Sequence, residues 1–552
     1  MAPVAVEKEP GYLPLLLAAS HGTAAAYLSY TVGVSLYRSQ KALGPAHDTR
    51  HRIAQRSKLT TTFGSLAALG LVFAITSAWA HLTLSYKVWA SERGIEVPDW
   101  LSESHATSAN GTNASDLHIR RWLSDTPIYL DALEIIAEKS RRLWWGQQLD
   151  LATASWTTLL AIEGRRRRIP HLWAYALLPH LTSLSFAQNL FYVALLLTPS
   201  PNLVAKPSSP QFLDLLIPRK PNNWFPKLSL LLTPLVLNYV AIAWLPFTAG
   251  TAWFPTAVAV NKVLTLAPLI LPAVAPNSWG TVHSDPHNAY RGITKLFNVI
   301  SVASVLLHLK TTTSGLFYNL PGSYKHRHSI KIPFDTEKRS QWERSATAVE
   351  RVLGSMADHP VVAAAGKDVL LCALSLGLWA AIRAVDVSKM LQSALPIRRA
   401  APDTVSFVKG PGEATMKSEP EPSVREESPK SVPPLGMTLR RRGRPKKMSV
   451  SSISSSDGPI ENAQPPPRRR GRPRKVKPEP EPEPEPELEK EEVIEDETYE
   501  PTREVKAEAE LGDVVPDDDF DWESAALVWG LTALGGLGVG SAAVFGAECV
   551  SR

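Results

Sequence analysis

The sequence predicts an all-α polytopic membrane protein with a long disordered, charge-segregated tail and a C-terminal apolar span. Three observations predict this class. Residues 1–385 hold long apolar runs separated by short loops, residues 386–523 are dominated by Pro, Ser, Glu, Lys and Arg, and residues 524–552 return to apolar sequence. The overall 44% of hydrophobic residues among 552 averages two unlike regions. Two cysteines, Cys372 and Cys549, both in apolar segments, exclude a disulfide framework and a cysteine-based zinc site.

A hydrocarbon layer about 30 Å thick needs roughly 20 apolar residues of helix, because each backbone N–H and C=O must be paired inside the segment. Runs of that length lie at 12–34, 61–85, 143–162, 171–197, 228–249 and 253–275, with a last one at 525–547. Two runs are shorter: LFNVISVASVLLH at 296–308, and VLLCALSLGLWAAI at 369–382, which follows Lys367 and Asp368. The N-terminus lacks a basic leader, so the first run reads as a retained span.

Charge orients the spans. Arg38, Lys41, Arg50, Arg52, Arg56 and Lys58 follow the first run, and Arg165 to Arg168 follow the third. Cytoplasmic loops carry the Lys/Arg excess, which places both on the cytosolic side and the N-terminus in the lumen. The loop between spans two and three carries neighbouring glycosylation sequons at Asn110 and Asn113, on the side the charges make lumenal. Both flanks of 369–382 are basic, so this run is expected to enter without crossing. Seven crossings then leave the tail facing cytosol or nucleoplasm.

Polar residues within the apolar runs (His21, His81, Asp150, His180, Gln188, Asn189, Asn238 and Asn261) have no repeated spacing, with Asp150 the hardest to bury. His283, Asp285 and His287 follow a spacing that could converge on a metal ion in a turn, and His326 and His328 form a second pair; the signal is weak, because Asp-Pro also opens turns and loop histidines are usually solvated. RSQWERSATAVERVLGSM sets Trp342, Ala346, Val349, Val352, Leu353 and Met356 on one helical face, as an amphipathic surface helix. There is no phosphate-cradling glycine loop and no nucleophile elbow. Enzymatic activity is not expected, nor any cofactor. Gly536 and Gly540 have the small-xxx-small spacing of closely approaching helices, a candidate for self-association.

The tail is a polyampholyte. Met437 to Lys477 carry 13 Lys/Arg against two acidic residues, and Pro478 to Glu523 carry 21 Asp/Glu against three basic ones. The basic block holds two near-identical octapeptides, RRRGRPKK (440–447) and RRRGRPRK (468–475), joined by a Ser/Pro-rich spacer of 20 residues. Each resembles the AT-hook of high-mobility-group A chromatin proteins. That resemblance implies an extended segment in the minor groove of A/T-rich double-stranded DNA, with Arg442, Gly443, Arg444 and Pro445 in one copy and Arg470, Gly471, Arg472 and Pro473 in the other. The physics agrees: glycine lets the backbone reach the groove floor, proline keeps it extended, and a narrow A/T groove attracts arginine. Flanking Arg440, Arg441, Lys446 and Lys447 would contact phosphates and make binding salt-dependent. Nuclear localisation or anionic-lipid binding are the other uses of basic clusters, and neither requires the Gly–Pro pattern or its duplication.

Through SWGTVHSDPHNAYR and HRHSIKIPFDTEKRSQWER the body resembles polytopic proteins of filamentous fungi with no assigned function, which implies no activity. The expectation is a protein of the endoplasmic reticulum and inner nuclear membrane whose tail engages A/T-rich DNA and chromatin proteins; the alternative is a fungal membrane enzyme or transporter whose basic tail localises or regulates it.

Overall fold

The computed structural model describes residues 11–43, 50–95, 97, 118–198, 220, 224–283, 287–327, 335–383, 387–396 and 520–550. The chain divides into a helical body, Met1–Arg399 with Pro501–Arg552, and a second unit, Ala400–Glu500, which lies outside the described residues.

In chain order the body contains α1 (Leu13–Lys41), α2 (Arg50–Glu92), α3 (Ile119–Asp125), α4 (Ile128–Glu138) and α5 (Ser140–Leu159), which runs on through a π-turn at Leu160–Gly164. Next come α6 (Leu172–Leu181), α7 (Leu184–Leu197), β1 (Trp224–Pro226), α8 (Leu228–Thr248), α9 (Phe254–Val274), β2 (Gly280–Val282) and α10 (His287–Asn319). Then follow β3 (Tyr324–Arg327), β4 (Asp335–Lys338), α11 (Gln341–Leu353), α12 (Pro360–Arg383), α13 (Val387–Ala394), α14 (Trp522–Gly535) and α15 (Leu537–Val550). Two small antiparallel pairs, β1 with β2 and β3 with β4, fasten connections at opposite ends of α10.

Among the described residues, five helices are long and apolar enough to cross a membrane: Gln55–Glu92 within α2, α8, α9, Arg291–Asn319 within α10, and α12. The two short runs of the sequence lie inside two of these helices. The 296–308 run sits in a helix of 33 residues and the 369–382 run in one of 24, about 36 Å at 1.5 Å per residue. Hydropathy truncates α12 because Lys367 and Asp368 look like a flank, whereas Asp368 is buried within the helix. The 369–382 run, expected from the sequence to enter without crossing, thus lies in a helix of full spanning length. α5 is polar for its length and is enclosed instead, with Trp145, Leu151, Trp156 and Leu159 buried.

Contacts fix the helix directions. One end of the body gathers Arg56, Arg165 to Arg168 and Arg383; it is called the basic end. Phe63 near the start of α2 packs edge-on against Tyr192 and Trp379, which stack 4.4 Å apart, so α2 starts where α7 and α12 finish. At the far end, Arg141 at the start of α5 pairs with Asp358 ahead of α12 at 2.8 Å, and Gly315 late in α10 lies against Val352 of α11. Gly250, between α8 and α9, donates its N–H to Glu134 of α4 at 2.7 Å. Thus α1, α2, α5, α8, α9, α10 and α12 run from end to end in alternating directions.

Two apolar runs that the sequence presents as spans instead double back. The 171–197 run breaks at Thr182–Ser183 into α6 and α7. Tyr175 and Phe191, each eight residues from Ser183, pack 5.5 Å apart, and Arg167 donates to the carbonyls of Leu195 at 3.0 Å and Thr198 at 3.3 Å. Both ends of this pair of helices thus meet at the basic end. The 525–547 run breaks at Gly536 into α14 and α15. The Asp521 N–H donates to Ala381 O at 3.0 Å, Glu548 reaches Arg383, and Gly540 packs against Thr532. This pair is a second hairpin that enters from the basic end and returns to it.

The amphipathic helix α11 forms where the sequence places it, opened by Ser340, whose hydroxyl accepts the Glu343 N–H at 3.1 Å. Its buried residues are Ala348 and Val352, while Trp342 is 81% exposed, so only part of the expected face is covered.

Candidate functional site

Each hairpin tip is built around a polar side chain borrowed from a full-length helix. At Ser183 the chain reverses and α7 begins inside the body, leaving its first N–H groups without intrahelical acceptors. The Asp368 carboxylate of α12 accepts two of them, Leu184 N–H at 2.9 Å and Ser185 N–H at 2.8 Å, while Ser183 Oγ accepts Phe186 N–H at 3.3 Å. A negative group at a helix N-terminus also complements the helix dipole. Gly70 of α2 makes room for this tip, since a Cβ there would fall 2.7 Å from Ser185 Oγ. Below the tip, Gln188 donates to Tyr192 Oη at 3.0 Å and Ser375 Oγ at 3.2 Å, and Asn189 bonds the carbonyl of Ser185.

At the second tip, Leu537 N–H donates to Gln148 Oε1 of α5 at 2.6 Å. The Gln148 amide also meets His308 Nδ1 at 3.5 Å, and His308 Nε2 lies 3.4 Å from Thr312 Oγ1. Farther along, Ser541 and Ser155 share a hydrogen bond of 2.5 Å that ties α15 to α5. The glycines considered for self-association are used within the chain: Gly536 abuts His308 and Gln148, and Gly540 abuts Thr532 and Leu376.

At the basic end the two hairpins and α12 are joined by buried charges. Glu163, in the π-turn, pairs with Arg167 and with Arg166 at 2.5 Å. Arg167 also reaches Glu548 of α15 at 3.2 Å, and Glu548 accepts a two-pronged bond from Arg383 at 2.8 and 3.1 Å. The side chains of Glu163, Arg167 and Glu548 are no more than 1% exposed. Charges so deeply desolvated persist only when each finds a partner. The π-turn adds a residue to the helix and so turns Glu163 toward the arginines that follow.

A third polar group lies midway between the ends. Asp150 of α5 forms an ion pair with Lys262 of α9, Oδ1 to Nζ 3.5 Å, with the side chains 25% and 37% exposed. Both residues stand near the middle of their helices. His180 lies in the last turn of α6, beside the first tip. Asn261 and Asn238 are buried next to this level, where Thr265 donates to Asn238 Oδ1 at 3.2 Å.

The AT-hook residues, the sequons at Asn110 and Asn113, Asp285 and His328 lie outside the described residues, as do the side chains of His287 and His326. His283 is placed after β2, with Nε2 2.8 Å from Thr281 Oγ1. Among the described residues no group of three or more His, Cys, Asp or Glu side chains is placed to hold a metal ion. Of the polar residues expected in the apolar runs, the structure gives Asp150 an ionic partner, Lys262. Sequence reasoning missed Lys262, which adjoins Asn261, as well as Glu163, Asp368 and Glu548. A charged residue inside an apolar run is the available signal, but its partner lies in a distant segment. In comparisons with family models, with curated proteins and with solved structures, the chain has no match.

Proposed function

We propose that this chain is a multi-spanning protein of the endoplasmic reticulum and inner nuclear membrane whose tail binds A/T-rich DNA and tethers or regulates chromatin. The observation that carries this reading is where the tail departs and returns. α13 packs beside the last turns of α15, with Ser393 against Gly546, and the chain re-enters at Asp521 against Ala381. Both points belong to the end that holds Arg56, Arg165 to Arg168 and Arg383, the charge bias of a cytoplasmic face. On this reading seven crossings, the number expected from the sequence, would leave the tail on the cytosolic or nucleoplasmic side. Two hooks on one chain would gain affinity through effective concentration.

Two measurements test it. Glycosylation mapping should find the native sequons at Asn110 and Asn113 modified and a sequon inserted near Ser423 unmodified; the reverse pattern sinks the proposal. The full-length protein in detergent should retain an A/T-rich duplex and lose it, along with its steep salt dependence, when Arg444→Ala is combined with Arg472→Ala. Binding that survives the double substitution removes the hooks from the account.

A second reading is a membrane transporter. It is favoured by helices interrupted within the body and by an ion pair midway between its ends, features that accompany solute pathways.

A further inference from the structure

Toward the basic end, α1 and α2 each pack on α7 and leave between them a cleft of about 400 Å³. The last turns of α1 and α7 and early turns of α2 form its walls. The side made by α7 is apolar, with Val193 and Leu197, and Leu36 of α1 extends it. A Cβ on Gly33 would meet no atom within 4 Å, so the space runs on beside α1. Gly33 stands seven residues before Gln40, about 10 Å farther from the basic end. The remaining wall is polar, with Tyr37 and Gln40 of α1 and Ser57, Thr60 and Thr61 of α2.

The polar wall is rich in donors. The Tyr37 phenol, the Gln40 amide and the hydroxyls of Ser57 and Thr61 each carry a proton to donate, whereas Thr60 gives its own to the Arg56 carbonyl at 2.9 Å. Lys41, one turn beyond Tyr37, stands over that ring with Nζ 4.6 Å from its centroid, which keeps the ammonium beside the cleft. Residues 31–70 carry Arg38, Lys41, Arg50, Arg52, Arg56 and Lys58 against one acid, Asp48. Tyr30 and Tyr37 are 71% and 57% exposed, so the cleft is reached from the flank of the bundle, where acyl chains would lie. A cleft cationic and donor-rich on one side and apolar on the other matches an amphiphile with an anionic head and a hydrocarbon chain. A soluble anion would satisfy only the polar wall, and an apolar peptide only the α7 side.

We propose that this cleft holds one phospholipid with an anionic headgroup, taken from the leaflet at the basic end. The headgroup accepts hydrogen bonds from Gln40, Ser57 and Thr61 and lies beside the Lys41 ammonium. One acyl chain runs past Gly33 against Leu36 and Val193. Basic pockets between helices on the cytoplasmic side of a membrane suit such headgroups, because each nearby lysine or arginine adds to their attraction. This goes beyond the tail's proposed engagement of DNA, and its test reads peptides of the helical body, so the two succeed or fail separately.

The test uses the full-length protein reconstituted in phosphatidylcholine liposomes with a trace of phosphatidylserine that carries a diazirine in one acyl chain. Illumination and digestion then show which peptides carry the lipid. An acyl-chain label reports contact within the bilayer, so phosphatidylserine attracted by the basic tail alone does not mark this cleft. Label on residues 33–40, 57–61 and 193–197 should exceed that around the exposed Val240 of α8 and Val263 of α9 by at least about five-fold, the effect of one lysine near an anionic lipid. Excess unlabelled phosphatidylserine should abolish the difference, and soluble glycerophosphoserine should not. Gly33→Leu, which fills the apolar part, and Lys41→Gln, which removes the ammonium, should each bring the label down toward the level of α8 and α9 without changing elution on size exclusion. Wild-type label no higher in the cleft than on α8 and α9 overturns the proposal, whether the cleft is then empty or covered by a second copy. So does an equal excess from photoreactive phosphatidylcholine, displacement by glycerophosphoserine, or unchanged labelling in the two variants.

Discussion

Arg167 and Glu548, separated by 381 residues, meet with Nη2 and Oε1 3.2 Å apart, each side chain 1% exposed. The contact joins the chain just past the π-turn to the last helix, and Arg383 completes it from the end of α12. It closes the second hairpin onto the body on the far side of the tail in sequence.

Glu548→Ala should be among the most destabilising single changes in the body. It takes the Glu548 carboxylate away from buried Arg383 and leaves Arg167 to Glu163, and truncating one partner of a buried pair costs roughly 3–5 kcal/mol. Thermal unfolding in detergent should show a large fall in Tm for Glu548→Ala and a smaller one for Glu548→Gln, which keeps two hydrogen-bonding atoms. A Tm within error of wild type for the alanine variant would show the network to be dispensable.

Asp368→Ala removes the acceptor for two N–H groups at the start of α7. Loss of such a cap costs about 0.5–2 kcal/mol, with a further penalty where the N–H groups cannot reach water. Asp368→Asn keeps one acceptor oxygen and should lose less. Proteolysis or hydrogen exchange at 182–186 reads the effect locally: faster exchange in the alanine variant is expected, and unchanged exchange would remove Asp368 from the tip.

Much of this arrangement is written in the apolar runs, and the remainder is not, for a physical reason. A hydropathy window measures how much apolar surface a stretch presents and is blind to a reversal of direction within it. The runs at 171–197 and 525–547 contain enough apolar residues to span, yet Ser183 and Gly536 turn them back. Each turn has a local sign, Ser183 as a helix-opening cap and Gly535–Gly536 as a break, but only Asp368 and Gln148 from other helices make the turns stable at depth. The converse error arises in α12, where a buried Asp368 resembles a polar boundary. Lys262 and Asp150 illustrate the same limit: each is legible alone as a charge in an apolar run, and their pairing depends on how α5 and α9 pack.

Gly536 is fixed by both its backbone and its neighbours. Its φ of 84° and ψ of 168° lie in a region essentially reserved for glycine, and a Cβ would fall 2.7 Å from His308 Nδ1 and 2.9 Å from Gln148 Oε1. Gly536→Ala should therefore cost about 1–3 kcal/mol in backbone strain alone, before His308 and Gln148 are displaced. Gly530, with open space around it, is the control, because Gly530→Ala should stabilise α14 slightly. Equal Tm shifts in the two variants would argue against a reversal at Gly536.

The start of α14 should carry a pH signature. Asp521 Oδ1 accepts the N–H groups of Glu523 at 3.1 Å and Ser524 at 3.2 Å, and Oδ2 accepts the Ser524 hydroxyl. The Ser524 side-chain hydrogen bond, with the two backbone N–H groups adding to it, holds the carboxyl below the ordinary aspartate value against a smaller opposing effect of burial. A carboxylate whose folded pKa lies below its unfolded one binds fewer protons when folded. Its stabilisation is therefore complete above the unfolded value, about 3.9, and is lost as pH falls through the lowered folded value. The group is largely solvated, so the effect should sit at the low end of the cap range, about 0.5 kcal/mol. Wild type should melt slightly above Asp521→Ala at pH 6, with the gap closing under strongly acidic conditions. Asp521→Asn, a cap that cannot titrate, should keep its advantage over alanine across the same range. A gap between wild type and alanine that widens as pH falls would reverse the sign and remove the ionised carboxylate from the cap.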